Sequence, residues 1–438
     1  MTLYSLFLFS LRSISTWKDV FFEEFRLEES NIVNGTMKTV KQLYQRIFSY
    51  HLRGQIKLIV FKLFRKLQIL SLLNKIGFLA ANRYLPLNGN NIEEVLGVSN
   101  GHTQTYKIVE DIITTEPANH LSEQVLNEIQ PFAAVTETVV LDTRDCGFSF
   151  RNNYILDRKL NVIGGYRIEF EKLPIYIQTL SNATRLSGTV AYLSESEPSN
   201  YYHWMCATLP LIRFYQKFYN LADIDFFYVG QFPLSGFHEE TLRKAGISMR
   251  QVIQKACTAD RLVAAISSRF MGVNDPVSEE AYRFTRSLFQ NECHRGAEKE
   301  KIRIYVPRGN VSRRRVINET AVIDLLSAYG FQTVEMDGKT VKEQAEIFSR
   351  AEAIVAPHGA ALTNLLFAQP LTTVIEIIPN GFTNNCFYVL ANYGKLNYLY
   401  LQGENIGQTK DAHHRDIYVD IQKLEKICQM SLRKLNYC

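Results

Sequence analysis

The sequence predicts an α/β protein, and three observations predict it. Between Lys301 and Pro379 short apolar strands alternate with helical patterns in the order βαβαβαβ. A second alternation of the same kind runs from Thr189 to Gln290. At the ends of two strands of the first stretch stand an arginine-rich loop and a Pro-His-Gly turn, residue types suited to anions. Strands separated by helices of about 10–15 residues pair in parallel, and a parallel sheet receives ligands beyond the carboxyl ends of its strands.

In that stretch, residues 302–306 form an apolar strand that Pro307 ends, and the following loop carries Arg308, Arg313, Arg314 and Arg315. A helix pattern starts at Asn318, a strand spans residues 331–336, and Thr340 with Glu343 has the spacing of a capping box. The strand at residues 353–356 leads into Pro357-His358-Gly359-Ala360-Ala361-Leu362-Thr363-Asn364, and the last strand, residues 372–377, carries Glu376. Gly359 permits close backbone approach, and a helix opening near Ala360 turns unpaired N–H groups and a positive dipole end towards the sheet edge. Such a turn cradles phosphate, and Glu376 near a strand end is placed to accept from a ribose diol, so a nucleoside diphosphate suits the set. Taken one at a time, the turn is also explained as a tight connection and the arginines as a solvated loop.

The 438 residues leave room for two or three domains and for sizeable cores. Net charge is +5, but residues 31–92 hold ten Lys/Arg and no Asp/Glu, so the rest of the chain is net acidic. One basic segment on an acidic body argues against a nucleic-acid binder and for an anionic membrane surface, met by residues 44–75. Residues 55–73 read as a basic amphipathic helix, which either lies on such a surface or packs on the protein's own core. The seven cysteines contain no CxxC pair, which points to reduced core thiols and to neither a disulfide framework nor a zinc site. The sequons at Asn310 and Asn318 lie in or beside the arginine loop, where a glycan would obstruct it; those at Asn34 and Asn182 decide nothing. Residues 1–11 are apolar but lack a basic start and a cleavage site, and no signal peptide is expected. A cytoplasmic location is expected, peripheral at the inner face of the membrane if the basic helix binds it.

After a Pro/Gly/Asn-rich connection at residues 85–100, short β-like runs over residues 136–163 form a lead-in, and a strand at residues 189–193 runs through a polar turn into Asn200-Tyr201-Tyr202-His203-Trp204. Asn200 reads as the N-cap, with His203 in the first turn near the positive dipole end, where an imidazole stays neutral and can take a proton. Tyr202 and Trp204 offer faces on which a sugar can stack. Against this stands the ordinary reading of a structural histidine among aromatics. Strands at residues 226–229, 252–254 and 262–266 and helices at 239–245 and 278–290 complete this unit, and the polar run 292–301 is its expected boundary. Asp223 and Asp225 form an Asp-x-Asp that precedes its strand, the wrong sheet end for a metal-bound ligand; Asp411, His413, His414 and Asp416 read as a solvated loop. No metal site is expected. A C-terminal helix at residues 421–435 is expected to pack back across the domains.

Three motifs in order, Asn200 to Trp204, then Arg308 with Ser312-Arg313-Arg314-Arg315-Val316-Ile317-Asn318-Glu319, then His358 to Asn364 with Glu376, resemble glycosyltransferase family 61 over residues 135–400. The resemblance implies a GT-B-like α/β architecture, two Rossmann-like domains facing across a cleft, and residues 1–85 lie outside it. With the patterns above, the expected division is a helical basic extension at 1–85, an acceptor-side domain at 86–295, a nucleotide-sugar domain at 296–405 and a returning helix at 406–438. By position it implies nucleotide-sugar contacts from Arg308, Arg314, Arg315, His358, Gly359, Ala360, Thr363, Asn364 and Glu376. In Pro307-Arg308-Gly309-Asn310 the chain lacks the second basic residue that relatives often place after the first Arg.

With no signal peptide expected and the cysteines read as reduced, the chain looks most like the bacterial branch of capsular polysaccharide synthesis. The expected reaction is inverting transfer from a nucleoside diphosphate sugar to a carbohydrate hydroxyl, without a metal or other cofactor, with His203 as base and Asn200, Tyr202 and Trp204 at the acceptor. The rival is a non-catalytic polysaccharide-binding or assembly subunit of the same fold. An epimerase or a kinase is disfavoured, since the chain has no GxGxxG after a leading strand and no GxxxxGK[ST].

Overall fold

The computed structural model describes residues 79–80, 84–86, 104–114, 133–144, 149–151, 154–156, 162–164, 176–177, 183–194, 197–268, 277–309, 311, 313–381, 384–406 and 415–432. The expected helix at 55–73, the membrane-facing residues 44–75, the apolar start at 1–11, the sequons at Asn34 and Asn182, Asn310, Ser312, and the group Asp411, His413 and His414 lie outside them. The elements that position the candidate site belong to one compact unit, residues 80–171 and 177–438.

A ten-stranded sheet contains β1 (Gln104–Thr114), β2 (Ala133–Thr143), β3 (Thr184–Tyr192), β4 (Phe226–Tyr228), β5 (Val252–Ile253) and β6 (Cys257–Ser268). Its parallel part has the order β5-β4-β3-β6, and β2 and β1 extend it antiparallel. Strand β3 starts earlier than its sequence pattern, because Gly188 does not open the strand but bulges it. Gly188 has φ +101°, a Cβ there would meet the Asp225 carboxylate, and the register with β6 shifts between Ala259 and Arg261. Asp225 accepts from the Thr189 N–H at 2.7 Å, so the Asp-x-Asp is tied into the strand's amino end.

The helix after β3 begins at Asn200, whose side chain accepts from the Tyr202 N–H at 2.9 Å. One helical turn, Tyr201–His203, passes into a π-helical stretch, Trp204–Thr208, then a 3-10 turn, Leu209–Leu211, and α1 (Ile212–Phe218). Proline at 210 cannot donate an intrahelical bond, and the helix changes its winding just where Pro210 removes one. Helices α2 (Gly236–Lys244), α3 (Glu279–Ser287) and α4 (Gln290–Ala297) come next.

The second sheet has six strands: β7 (Ile302–Tyr305), β8 (Phe331–Thr333), β9 (Ala351–Pro357), β10 (Thr373–Pro379), β11 (Asn397–Ile406) and β12 (Asp416–Tyr418). Their order is β8-β7-β9-β10-β11-β12, parallel throughout except at β12. The connections are α5 (Glu319–Ala328), α6 (Val341–Arg350), a 3-10 helix (Ala360–Phe367) and α7 (Cys386–Tyr393). Thr340 and Glu343 form the expected capping box on α6. The helix expected at Ala360 is present but is wound as 3-10.

Packing corrects two expectations. The polar run expected as a boundary is largely helix α4, packed so tightly that a Cβ at Gly296 would lie 2.4 Å from the Glu346 carbonyl of α6. The C-terminal helix, α8 (Ile421–Leu432), does not pack across two domains. It covers its own sheet, with Leu424 and Cys428 in one core with Val322, Leu326, Val355 and Ile377. Finally, the inner faces of both sheets and the helices between them share a single apolar core running from Ala191 and Val263 to Ile354 and Val374. The two α/β layers are packed on each other through this core. Glu240 of α2 pins them further by accepting from the Val341 and Lys342 N–H groups at 2.7 and 2.8 Å, at the start of α6.

Candidate active site

In the second sheet the chain runs outward from β7 to β8 on one side and from β9 to β10 on the other, so the carboxyl ends of β7 and β9 part at a topological switch point, where such sheets place ligands. Arg308 comes just after β7 and His358 just after β9. Arg308 donates from Nη1 to the His358 carbonyl at 2.7 Å and from Nη2 to the Arg313 carbonyl at 3.2 Å. The glycine at 359 is required by space, not by conformation: its backbone is extended, but a Cβ would lie 2.0 Å from Arg308 Nη1. The close approach expected of a ligand at Gly359 is thus made by Arg308 itself.

Arg314 stands in the left-handed region at φ 56°, a strained conformation for a long side chain and one that functional loops retain. Burial together with the Arg314 and Arg313 guanidiniums pushes Arg308 down to about 10. Burial and Arg313 also lower Arg314, against the opposing pull of Cys386 and Glu376. Both guanidiniums are half-buried, and the hydrogen bonds that Arg308 makes to His358 and Arg313 go to backbone carbonyls. Concentrated positive charge of this kind favours an anion with several acceptor oxygens.

Strand alternation places Glu376 on the inner face with Val374 and Ile378, at 1% exposure. Its carboxylate takes His358 Nδ1 on one oxygen and the Tyr398 hydroxyl on the other. Glu376 is therefore not open to a ribose diol; it is the partner of a buried imidazole. Burial lowers His358 from its ordinary value, the Glu376 charge and hydrogen bond oppose this, and Arg314 and Arg308 lower it further.

The Asn200 segment meets this site through rings. Phe387 of α7 lies 4.8 Å from the His358 ring centroid and 5.7 Å from that of Tyr202, and Tyr202 lies 5.6 Å from His203. The His203 side chain keeps 18% exposure, with Nε2 3.4 Å from the Glu197 carboxylate. Glu197 itself has φ 54°. Sequence reasoning misses Glu197, Phe387 and Tyr398. The Tyr398 and Tyr400 pair on one strand face is the available signal for the last of these, whereas nothing marks Glu197 before its backbone conformation is known.

Several expected contacts are redirected. Trp204 is fully buried, its indole N–H donating to Thr241 Oγ1 at 2.8 Å, so it offers no face to a sugar. Tyr202 is buried between rings, and the Asn200 side-chain oxygen is committed to its cap. Arg315 turns away from the site to Asp416, with Nη2 2.6 Å from the carboxylate. Asn364 is buried, accepting from Tyr201 at 2.8 Å and donating to Gln344 at 2.6 Å. Thr363 is likewise fully buried, its hydroxyl enclosed at the second turn of the 3-10 helix. The residues that stay together at the edge are Arg308, Arg314, His358, Gly359 and Ala360, with His203 across the ring cluster.

Residues 201–375 match the model of one family, Glycosyltransferase 61. The resemblance to that family holds over this segment. The family-61 segment includes His203, the arginine loop, His358 and Gly359, and it closes at Ile375, beside Glu376. A comparison with curated proteins gave no match. Among the described residues, no helix is long and apolar enough to cross a membrane, and no group of three or more His, Cys, Asp or Glu side chains is placed to hold a metal ion. The five described cysteines, Cys206, Cys257, Cys293, Cys386 and Cys428, are buried thiols.

Proposed function

We propose that this chain transfers a sugar from a nucleoside diphosphate sugar to a carbohydrate hydroxyl with inversion, in synthesis of a surface or capsular polysaccharide. The family-61 match supports glycosyl transfer. The observation that carries the donor class is the half-buried pair Arg308 and Arg314 at the switch point, backed by Gly359, in a setting that holds Arg308 down to about 10. A diphosphate supplies the compensating negative charge. That charge grows as the glycosidic bond breaks, so fixed guanidiniums stabilise the transition state more than the bound donor.

His203 takes the proton of the acceptor hydroxyl in this reading, because it combines an imidazole with partial exposure. Glu197 steadies the ring. The oxygen of the acceptor then attacks the anomeric carbon from the face opposite the diphosphate, the carbon–oxygen bond to the diphosphate breaks, and configuration inverts. The arginines serve the leaving group without a metal.

The test is incubation of the full chain with UDP-, GDP- and dTDP-sugars, reading release of the nucleoside diphosphate, with Arg314→Ala as control. Release from one donor class, lowered on the order of 10²–10³ in the variant, supports the reading. Release unchanged in Arg314→Ala would mean that the phosphate site lies elsewhere.

A further inference from the structure

Glu376 of β10 is buried, and its two oxygens are taken by His358 and Tyr398 in the protein interior. A carboxylate accepting from both neighbours fixes the proton of neutral His358 on Nδ1, which makes Nε2 the atom through which the ring titrates. The His358 carbonyl accepts from Arg308 Nη1 at 2.7 Å, so the guanidinium is held against the backbone of the residue that carries the ring. We propose that Tyr398, Glu376 and His358 form a proton-accepting unit of the anion site: when a nucleoside diphosphate occupies Arg308 and Arg314, His358 takes up a proton from solvent and becomes an imidazolium held by Glu376. The unit presupposes the nucleotide reading of the site and adds a regulation to it.

The charged and titratable groups around His358 come from four elements: Glu376 on β10, Tyr398 on β11, Arg308 and Arg314 on the loop after β7, and Cys386 at the start of α7, which acts on Arg314 and Tyr398. Burial and the two arginines keep the imidazole neutral, and Glu376 is the one group among them that favours its charge. A diphosphate lying against the arginines cancels their repulsion while leaving Glu376 in place. The balance then favours the imidazolium. Binding therefore takes up protons, so affinity rises as pH falls through the neutral range, by at most about tenfold per pH unit, until the ligand's own last proton binds near pH ~6. Glu376 and Tyr398 are positioning residues in this scheme; neither touches the nucleotide.

The experiment is calorimetric titration of the full chain with UDP, GDP, dTDP and inorganic pyrophosphate at pH ~7, in two buffers of different ionisation enthalpy, for wild type and Glu376→Gln. The expected result is a net proton uptake on binding in wild type that exceeds that of Glu376→Gln, with weaker binding in the variant. Tyr398→Phe gives a second reading should Glu376→Gln not fold: relieved of one hydrogen bond, Glu376 holds the imidazolium more strongly, and the midpoint of the pH dependence moves upward. Equal uptake in wild type and Glu376→Gln, or an unmoved midpoint in Tyr398→Phe, overturns the proton-accepting unit while the nucleotide site stands. If wild type binds none of the four probes, the nucleotide reading itself falls, and the proton-accepting unit with it.

Discussion

Arg308 and His358, separated by fifty residues, are joined by one hydrogen bond of 2.7 Å from guanidinium to carbonyl, across the gap where β7 and β9 part. That bond closes the floor of the candidate site and dictates the residue that comes after His358.

Gly359→Ala is expected to fold and to lose nucleotide binding by roughly tenfold or more, since a Cβ set 2.0 Å from Arg308 Nη1 must displace the guanidinium. The backbone at this position suits any residue, so circular dichroism and the melting transition should change little. Comparison of binding heats for wild type and variant measures the effect.

Arg308 loses its charge as pH rises through about 10. Its ordinary value lies higher, so the buried cation is an unfavourable charge that an anion relieves. Two outcomes are expected. Pyrophosphate should raise the melting temperature at neutral pH, and binding should weaken as pH rises through about 10, by at most about tenfold per pH unit. Thermal shift with and without pyrophosphate, repeated across pH, tests both.

Glu240→Ala removes the acceptor that α2 supplies to the Val341 and Lys342 N–H groups. The loss should resemble that of a helix cap, about 1 kcal/mol within a range of roughly 0.5–2, seen as a lower urea midpoint at unchanged slope. Activity per folded molecule should be retained, because Glu240 lies on the pinning helix and not at the anion site.

Glu197→Asn keeps a residue type that accepts the left-handed backbone at φ 54° while removing the carboxylate 3.4 Å from His203 Nε2. Stability should stay within about 0.5 kcal/mol of wild type, and turnover should fall by roughly an order of magnitude with little change in donor KM. A drop in donor affinity with turnover intact would place Glu197 outside the proton path.

Much of this fold is written in local patterns. The alternation from β7 to β10, the capping box at Thr340 and Glu343, and the cap at Asn200 are all short-range features, and each appears in the structure within a few residues of its expected place. The arginine loop and His358-Gly359 are legible as a pair because parallel topology brings strand ends together. Long-range facts are not legible in the same way. Glu376 reads as a ribose acceptor because a lone acid near a strand end carries no sign of Tyr398, the second residue of the next strand, that claims it. Trp204 reads as a sugar platform because periodicity does not reveal Thr241 behind it. The shared core between the layers likewise depends on which helix faces meet, and a linker and a helix such as α4 differ little in a polar run.

Arg308 and Arg314 are expected to hold a nucleoside diphosphate, and titration of the full chain with UDP, GDP, ADP and dTDP tests this most directly. Saturable binding of one of them is predicted, abolished or cut at least about tenfold by Arg314→Ala, given that charge-assisted hydrogen bonds contribute about 1.5–3 kcal/mol. Folded protein that binds none of the four, or that binds equally well without Arg314, would contradict it.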